Sequence, residues 1–377
     1  MSDILFVTWD GGGNLAPALG AAAELTQRHH TARFLGHARQ RSAIEAAGFA
    51  FQPFTHARPW SAVAQNAGLP GLLKQLSIFA DRGIGNDLLL VVREQAPDLV
   101  VIDHLLFGAQ QAADRAGLKR AILVHTLYGQ QRQTWTTGMG RFQMWLRGLR
   151  PVELWARSDL ILATTLPDID SYAPVPERVH HTGPVWQGGK PEPAMPAAGE
   201  PLILVSLSTL YQDGQARALQ AILDALARLP VRVMVTTGPS LDPTTMRAPA
   251  NVELHQYLPH EEVLPRASLV VGHGGHSTAM AALARDLPLL IMPMFALGDQ
   301  PVVGRALERL GAARVLPKTA SPDQIAASVR ALLADTSYRI AAQALGAKIR
   351  QRDGAVAAAD ALEGLLARVP TPTREAS

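Results

Sequence analysis

The sequence predicts an α/β protein made of two successive units, each of which alternates strands and helices. Apolar runs typical of buried parallel strands recur along the 377 residues, and helical segments separate them. A segment with four prolines, residues 187–201, then divides the chain, and we interpret residues 187–200 as a linker. Two open sheets joined by a linker leave a cleft between them, so we expect ligands at the carboxyl ends of the strands.

The first unit starts with a strand at Asp3–Trp9, a glycine-rich turn at Asp10–Gly13 and a helix to about His30. Asp98–Asp103 is a continuous apolar run that ends in an acid, which is typical of a sheet covered on both faces. The pattern predicts further strands at Ala32–His37, Phe49–Phe54, Ala121–His125 and Leu160–Thr164, with helices at Arg39–Ala47 and over most of residues 60–96.

The alternation restarts after the linker. Strands are predicted at Leu202–Leu207, Val231–Thr237, Ser268–Gly272 and Leu289–Met292. Helices are predicted at Gln215–Arg228 and Ser277–Arg285, and at about 300–310, 321–335, 337–352 and 355–367. We therefore divide the chain into a first domain at 1–186, a second at 201–354, a C-terminal helix at 355–369 and a disordered tail at 370–377.

Composition excludes several classes of protein. The net charge is only +3 and no Lys/Arg run exceeds two residues, which argues against a nucleic-acid partner. The absence of cysteine excludes disulfides, thiolate catalysis and cysteine-ligated metals. The first apolar run is too short for a signal peptide and no run approaches 18 apolar residues, so we expect a cytoplasmic protein without stable membrane insertion.

The segment Val270–Thr278 (Val-Val-Gly-His-Gly-Gly-His-Ser-Thr) follows a predicted strand and opens a helix. Its glycines allow a ligand to approach the backbone closely, and the free N–H groups of a helix start attract an anion. A diphosphate cradle and a plain strand-to-helix turn capped by Ser277 both fit this segment.

The surroundings favour the cradle. Gln256-Tyr-Leu-Pro-His260 stands upstream of the loop, and Asp299-Gln300 stands downstream. This ordered set resembles the nucleotide-sugar site of the family 1 glycosyltransferases, which have the two-domain GT-B fold, and in particular their bacterial natural-product branch. The resemblance implies an α/β GT-B architecture of two Rossmann-like domains facing each other across a cleft. It also implies that the last helix returns to the N-terminal domain.

The resemblance implies a donor site in the second domain. Tyr257 and the backbone around Leu258 would contact the base, and Asp299 and Gln300 would bind sugar hydroxyls. The diphosphate would be held by the loop residues His273, Gly274, Gly275, Ser277 and Thr278, and flanked by Ser208 and Thr209. No metal or other cofactor is implied, because helix N–H groups and histidine stabilise the leaving diphosphate.

Two positions depart from the family pattern. Ala281 stands where the family has an acid that binds the ribose. Asn14 stands where the family has its catalytic histidine, and an amide cannot serve as a general base. We therefore rank Asp103 first as the base, then Asp10 and His125, with Asn14 orienting the acceptor. Each of these residues also has a purely structural interpretation, either as an acid that caps a turn or as a hydrogen-bonded histidine in the core.

Large apolar side chains cluster in Tyr128–Trp155. They indicate a pocket for a bulky acceptor, although a helix packing on the core explains most of them equally well. The acceptor contacts expected from this cluster are Trp135, Met139, Phe142 and Trp145.

We expect an inverting, metal-independent glycosyltransferase that moves a sugar from a UDP- or TDP-sugar to a hydrophobic small molecule, as a monomer or homodimer. A catalytically degenerate relative that acts as a binding protein is the main alternative, because Asn14 and Ala281 are off-pattern. An NAD(P)-dependent oxidoreductase is a weaker one: Gly11–Ala16 fits the dinucleotide fingerprint, but Gly36–Arg39 lacks the acid that binds the ribose. A GT-B epimerase or a transferase acting on a lipid carrier is a further option.

Overall fold

The computed structural model describes residues 1–61, 68–170, 174–196, 198–208, 212–296 and 298–368. The strands form two parallel sheets. The first sheet has the order β3-β2-β1-β4-β5-β6-β7. Its strands are β1 (Asp3–Val7), β2 (Thr31–Gly36), β3 (Ala50–Pro53), β4 (Leu99–Asp103), β5 (Arg120–Val124), β6 (Leu160–Ala163) and β7 (Val179–His181).

Helices cover both faces of this sheet, because its central strands are buried throughout. Every residue of β4 and β5, for example, is buried. The helices between the strands are α1 (Leu15–Gln27), α2 (Arg41–Ala46), α3 (Gly68–Phe79), α4 (Arg82–Glu94), α5 (Phe107–Arg115), α6 (Tyr128–Thr136), α7 (Gly138–Trp145) and α8 (Pro151–Ala156).

The second sheet has the order β10-β9-β8-β11-β12-β13 and is also parallel. Its strands are β8 (Leu202–Ser206), β9 (Arg232–Thr236), β10 (Val252–His255), β11 (Leu269–Gly272), β12 (Leu289–Ile291) and β13 (Ala313–Val315). The accompanying helices are α9 (Gln215–Leu226), α10 (His260–Val263), α11 (His276–Leu283), α12 (Gln300–Arg309), α13 (Pro322–Ala334), α14 (Thr336–Gln351) and α15 (Gly354–Ala367).

The two-sheet α/β architecture confirms the predicted fold class. Three strands were not predicted, namely β7, β10 and β13. All three are short, and all lie at an edge of their sheet. An edge strand is covered less completely than a central one, so its sequence need not be a continuous apolar run.

The last helix lies against the first half of the chain. Arg28, just after α1, contacts Asp360 at 2.6 Å and Glu363 at 2.7 Å on α15. Where α15 starts, Gly354 approaches the backbone so closely that a Cβ there would lie 2.2 Å from the carbonyl oxygen of Pro184. The chain therefore passes between its halves at two adjacent places. The domain limits at 186, 200 and 354 remain predictions, and the tail at 370–377 lies outside the described residues.

Strand order reverses in the first sheet between β1 and β4, and in the second between β8 and β11. In sheets of this kind, ligands bind at such switch points, beyond the carboxyl ends of the strands. The loops that follow β1, β4, β5, β8 and β11 are therefore the places to look for chemistry.

Candidate active site

A buried carboxylate lies at the carboxyl end of β4. Asp103 Oδ1 accepts the Leu105 N–H at 3.0 Å, and Oδ2 accepts Nδ2 of Asn14 at 3.0 Å. Nδ1 of His125 lies 3.3 Å from Oδ2, and Nδ1 of His104 lies 3.5 Å from Oδ1. Both carboxylate oxygens are thus surrounded by nitrogen.

These nitrogens keep Asp103 ionised. Burial by itself would raise the pKa of this carboxyl, but His125, His104 and the Leu105 N–H outweigh burial and lower the pKa to about 2. Asp103 is the residue that the sequence analysis ranked first as the base. A buried carboxylate with such a low pKa is a weak proton acceptor and has no open side toward an incoming acceptor molecule.

His125, at the end of β5, has a different environment. Its side chain is 18% exposed, and Nδ1 is buried toward Asp103. Nε2 remains accessible to solvent, and within the described parts of the chain no side chain bonds to it. His125 therefore joins a buried carboxylate on one side to open space on the other.

His104 holds the ring of His125 in place. The two rings meet edge to face with centroids 4.6 Å apart, and His104 itself is completely buried. Burial and the neighbouring His125 lower the pKa of His104 to about 3, so its imidazole is neutral. The sequence analysis did not single out His104.

Asn14 is 1% exposed and does not face an acceptor. Its Nδ2 donates to the Trp9 carbonyl at 3.0 Å as well as to Asp103, while Oδ1 is buried with no partner among the described residues. The expectation that Asn14 orients an acceptor is therefore corrected: its buried amide fixes the Asp103 carboxylate. Asp10 lies at the rim instead, with Oδ2 3.7 Å from Nε of Arg39.

The glycine-rich loop joins β11 to α11. Gly274 adopts φ +84°, and a Cβ there would lie 2.7 Å from the carbonyl oxygen of Gln300, so only glycine fits. Gly275 is the N-cap of α11, which leaves the N–H groups of His276, Ser277 and Thr278 free at the helix start. This geometry is suited to an anion.

The histidines of this loop are neutral. Burial lowers the pKa of His273 to about 4, partly opposed by the charge of Asp299. Burial also lowers the pKa of His276 to about 4, and His125 adds to that effect. Each can offer a neutral N–H to a ligand rather than a positive charge. His276 was not among the predicted site residues, although it is the second histidine of the same motif.

Asp299 and Gln300 lie at the start of α12, where Asp299 contacts the first half of the chain and Gln300 bonds within the second. Asp299 Oδ2 accepts the hydroxyl of Thr126 at 2.6 Å. Gln300 Oε1 accepts the N–H groups of Met294 and Phe295 at 2.8 and 3.0 Å. The side-chain oxygen of Gln300 is thus bonded to the protein, and the side-chain nitrogen Nε2 is the group left for a ligand.

The other predicted donor contacts lie on the rim of the second sheet. Tyr257 is 80% exposed, and Leu258 beside it is half-buried. Ser208 is buried after β8. Thr209 lies outside the described residues.

The four predicted acceptor contacts separate into two groups. Trp135 is 5% exposed and packs against Phe79 and Phe107 in the core, so its assignment as an acceptor contact is corrected. Met139, Phe142 and Trp145 on α7 are exposed, and the last two rings stack on each other. The helix thus presents an apolar surface to solvent.

A cavity of about 320 Å³ lies between the halves along α6. Leu127, which follows Thr126, lines it from the first half, and Val302 of α12 lines it from the second. It therefore opens next to the Thr126–Asp299 contact. Its other lining residues are Gly129, Gln130, Arg132, Gln133, Thr136, Thr137 and Asp170.

Asp103, His104 and His125 are also the residues whose spacing could suit a metal ion, since their ligand atoms lie within 4.8 Å of one another. The amide of Asn14 points at the same carboxylate oxygen as His125. The Asp103 carboxylate thus has both histidine rings and the Asn14 amide around it, and we call this group the carboxylate–histidine cluster.

Comparison with solved structures defines the fold. The calicheamicin glycosyltransferase CalG4 matches with a TM-score of 0.80 at 24% identity, covering 98% of this chain and 100% of that one. The glycosyltransferase VinC, solved in complex with dTDP, matches with a TM-score of 0.71 at 21% identity, covering 97% and 98%. The chain has the GT-B fold of these enzymes.

Sequence comparison then gives the kind of enzyme. Residues 220–362 match the family model of the erythromycin biosynthesis protein CIII-like C-terminal domain. The 4'-demethylrebeccamycin synthase of Lentzea aerocolonigenes is 27% identical over 422 residues, covering 96% of this chain and 99% of the relative. The chain is a glycosyltransferase, and its relatives include enzymes of natural-product biosynthesis. None of the helices in the described part of the chain is both long and apolar enough to cross a bilayer.

Proposed function

We propose that this glycosyltransferase transfers a sugar, with inversion, from a UDP- or TDP-sugar to a hydrophobic small molecule, and that it needs no metal or other cofactor. One observation carries the proposal: the anion-binding loop of the second half meets the polar cluster of the first half. Ser277 Oγ lies 3.4 Å from the carbonyl oxygen of Gly13, and Thr126 bonds to Asp299 at 2.6 Å.

The donor would bind along the second half. Its diphosphate fits the start of α11, where three N–H groups and the neutral side chain of His273 can stabilise the charge that develops on departure. The exposed ring of Tyr257 can stack on the base. The dTDP complex of VinC supports a nucleoside diphosphate at this fold's donor site.

The sugar would then lie between Asp299 and the cluster around Asp103. A single displacement explains inversion: the acceptor oxygen attacks the anomeric carbon from the face opposite the diphosphate. The cavity beside Thr126 and the exposed apolar surface of α7 lie where an acceptor can approach this point. Closure of the cleft over both substrates would exclude water and limit hydrolysis of the donor.

The first test is a thermal-shift panel with UDP, TDP, GDP, ADP and NAD. A nucleotide at 100 times its Kd adds about 2.7 kcal/mol to the free energy of unfolding. A selective rise in Tm with UDP or TDP is the expected result. A shift with NAD alone would instead favour an oxidoreductase, and no shift with any nucleotide would favour a degenerate binding protein.

The second test is transfer itself. Incubation with UDP- or TDP-glucose and a panel of phenolic aglycones, followed by mass spectrometry, should detect glycosides. The anomeric proton in NMR spectra should report the β-linkage from an α-linked donor. Activity should persist in excess EDTA, and a loss that added metal restores would contradict the metal-independent mechanism.

A further inference from the structure

We propose that His125 is the general base of the transfer, and that Asp103 is its positioning residue, held by Asn14 and His104. This inference rests on the proposed function, because it assigns a residue to that same reaction. The histidine that the family carries at the position of Asn14 is absent here, so the proton of the acceptor needs another destination.

The two nitrogens of the His125 ring face in different directions. Nδ1 is buried 3.3 Å from Asp103 Oδ2, and Nε2 is accessible. A carboxylate beside Nδ1 favours the tautomer that carries its proton there, which leaves the Nε2 lone pair free for an acceptor proton. The Nδ1–H direction is off the line to Oδ2, as is common before substrates bind, and a small ring rotation aligns it.

His125 lies close to the expected donor site. The next residue, Thr126, bonds to Asp299, the side chain expected to hold sugar hydroxyls. The start of α11 also reaches the first half, because Ser277 Oγ donates to the carbonyl oxygen of Gly13 at 3.4 Å. The accessible edge of His125 therefore lies where the anomeric carbon and the acceptor must meet.

Nitrogen atoms surround the carboxylate of Asp103. Leu105 and Asn14 donate to a carboxylate that is buried, and Nδ1 of His104 and Nδ1 of His125 lie 3.5 and 3.3 Å from it. A buried carboxylate that stays ionised stabilises the imidazolium that forms when its partner takes a proton. Asn14 thus keeps a role beside the Asp103–His125 pair, while the base itself directly follows β5.

In the proposed reaction His125 takes the proton of the acceptor hydroxyl as the sugar is transferred. The acceptor O–H bond breaks and its proton goes to Nε2 of His125, while the acceptor oxygen bonds to the anomeric carbon. The bond between that carbon and the phosphate oxygen breaks, and its electron pair leaves with the nucleoside diphosphate. The imidazolium then returns its proton to solvent after the product departs.

The kinetic test compares His125→Asn with His180→Asn, a matched change of an exposed histidine on β7. In His125→Asn the side-chain amide takes the place of Nδ1 beside Asp103, but it cannot accept a proton. We expect kcat to fall by about 10²- to 10⁴-fold with KM for the donor unchanged. The loss should shrink along a series of increasingly acidic substituted phenols, because an acidic acceptor needs less help. An equal loss across the series would overturn the assignment.

A second measurement needs no acceptor. The ¹⁵N chemical shifts of the imidazole nitrogens distinguish the two neutral tautomers, and His125→Asn assigns the signals. We expect Nδ1–H in the wild-type protein and a shift toward Nε2–H in Asp103→Asn. Nε2–H in the wild type would contradict the proposal even if nucleotides bind. Conversely, the expected tautomer without any nucleotide-induced rise in Tm would refute the proposed function and leave the pairing intact.

Discussion

The hydroxyl of Thr126 donates to the carboxylate of Asp299 at 2.6 Å, and this bond joins the end of β5 in the first half to the start of α12 in the second. Because Asp299 is expected to hold the donor sugar, the same carboxylate serves both the closed arrangement of the halves and the recognition of the substrate. Thr126 is absent from the predicted site residues, since nothing in its local sequence marks it.

Removing this hydroxyl should weaken the contact between the halves. In Thr126→Val the Asp299 carboxylate loses a donor, and a partly buried acceptor left unpaired costs about 1–3 kcal/mol. We expect a lower Tm by calorimetry, and a smaller deficit when a nucleotide-sugar supplies hydroxyls to Asp299. Thr126→Ser retains the donor and should behave like the wild type. An unchanged Tm in the valine variant would mean that the contact contributes nothing.

The conformation of Gly274 predicts a strong effect of a single methyl group. Gly274→Ala combines φ +84° with a Cβ 2.7 Å from the Gln300 carbonyl oxygen, so the loop must move. We expect a lower Tm and loss of the UDP- or TDP-induced rise. Gly364→Ala is the control: it lies in α15 with open space around it, and alanine should stabilise the helix by up to about 1 kcal/mol. Normal nucleotide binding by Gly274→Ala would exclude the loop as the cradle.

Two exposed aromatic residues should separate donor from acceptor binding. Tyr257→Ala removes a ring that stacks on the base and should cost about 1–3 kcal/mol in nucleotide affinity. Phe142→Ala on α7 should leave nucleotide affinity unchanged and raise KM for a phenolic acceptor. Isothermal titration calorimetry measures the first effect and steady-state kinetics the second. The reverse pattern would require the two subsites to be exchanged.

Stability should fall as the pH falls below about 6.5. His104, His273 and His276 have folded pKa values lowered to about 3, 4 and 4, so they stay neutral in the native state while their unfolded counterparts take up protons. The unfolded state then binds more protons, and each such histidine removes up to about 1.4 kcal/mol per pH unit until its folded pKa is reached.

The Asp103 carboxyl acts later on the acid side. Its folded pKa of about 2 lies below the usual value of 3.8, so the stability that it contributes is present above pH 3.8 and is lost as the pH falls toward 2.

Urea denaturation at pH 7, 6 and 5 tests the histidine effect. His276→Asn should flatten the pH dependence, whereas His180→Gln, a change of an exposed histidine, should not. A flat profile in the wild type would contradict the burial of these rings.

The central strands of both sheets were predictable because burial on both faces requires continuous apolar runs such as Leu99–Asp103. The edge strand Val252–His255 contains an exposed glutamate and three residues that are only partly buried, so its sequence carries no comparable signal. The fold class therefore followed from the core alone, and the width of each sheet did not.

The site was predictable in its location but not in its division of labour. The register pairs Asp103 with Leu123, two residues before His125, so strand ends alone bring the two side chains to one edge. Which of them is buried and which is accessible depends on His104, Asn14 and the packing around them. Trp135 shows the same point, because only the three-dimensional packing assigns its ring to the core.

The two adjacent passages of the chain near Pro184 and Gly354 have a mechanical consequence. Lys190 contacts Asp353 at 3.6 Å, and Arg352 bonds to the His181 carbonyl at 3.2 Å, so the two connections are pinned to each other. Two halves that are joined by two adjacent, connected segments can rotate about one axis, but they resist twisting and separation. A proteolytic nick in residues 187–200 should therefore leave both halves attached and still able to close on a substrate.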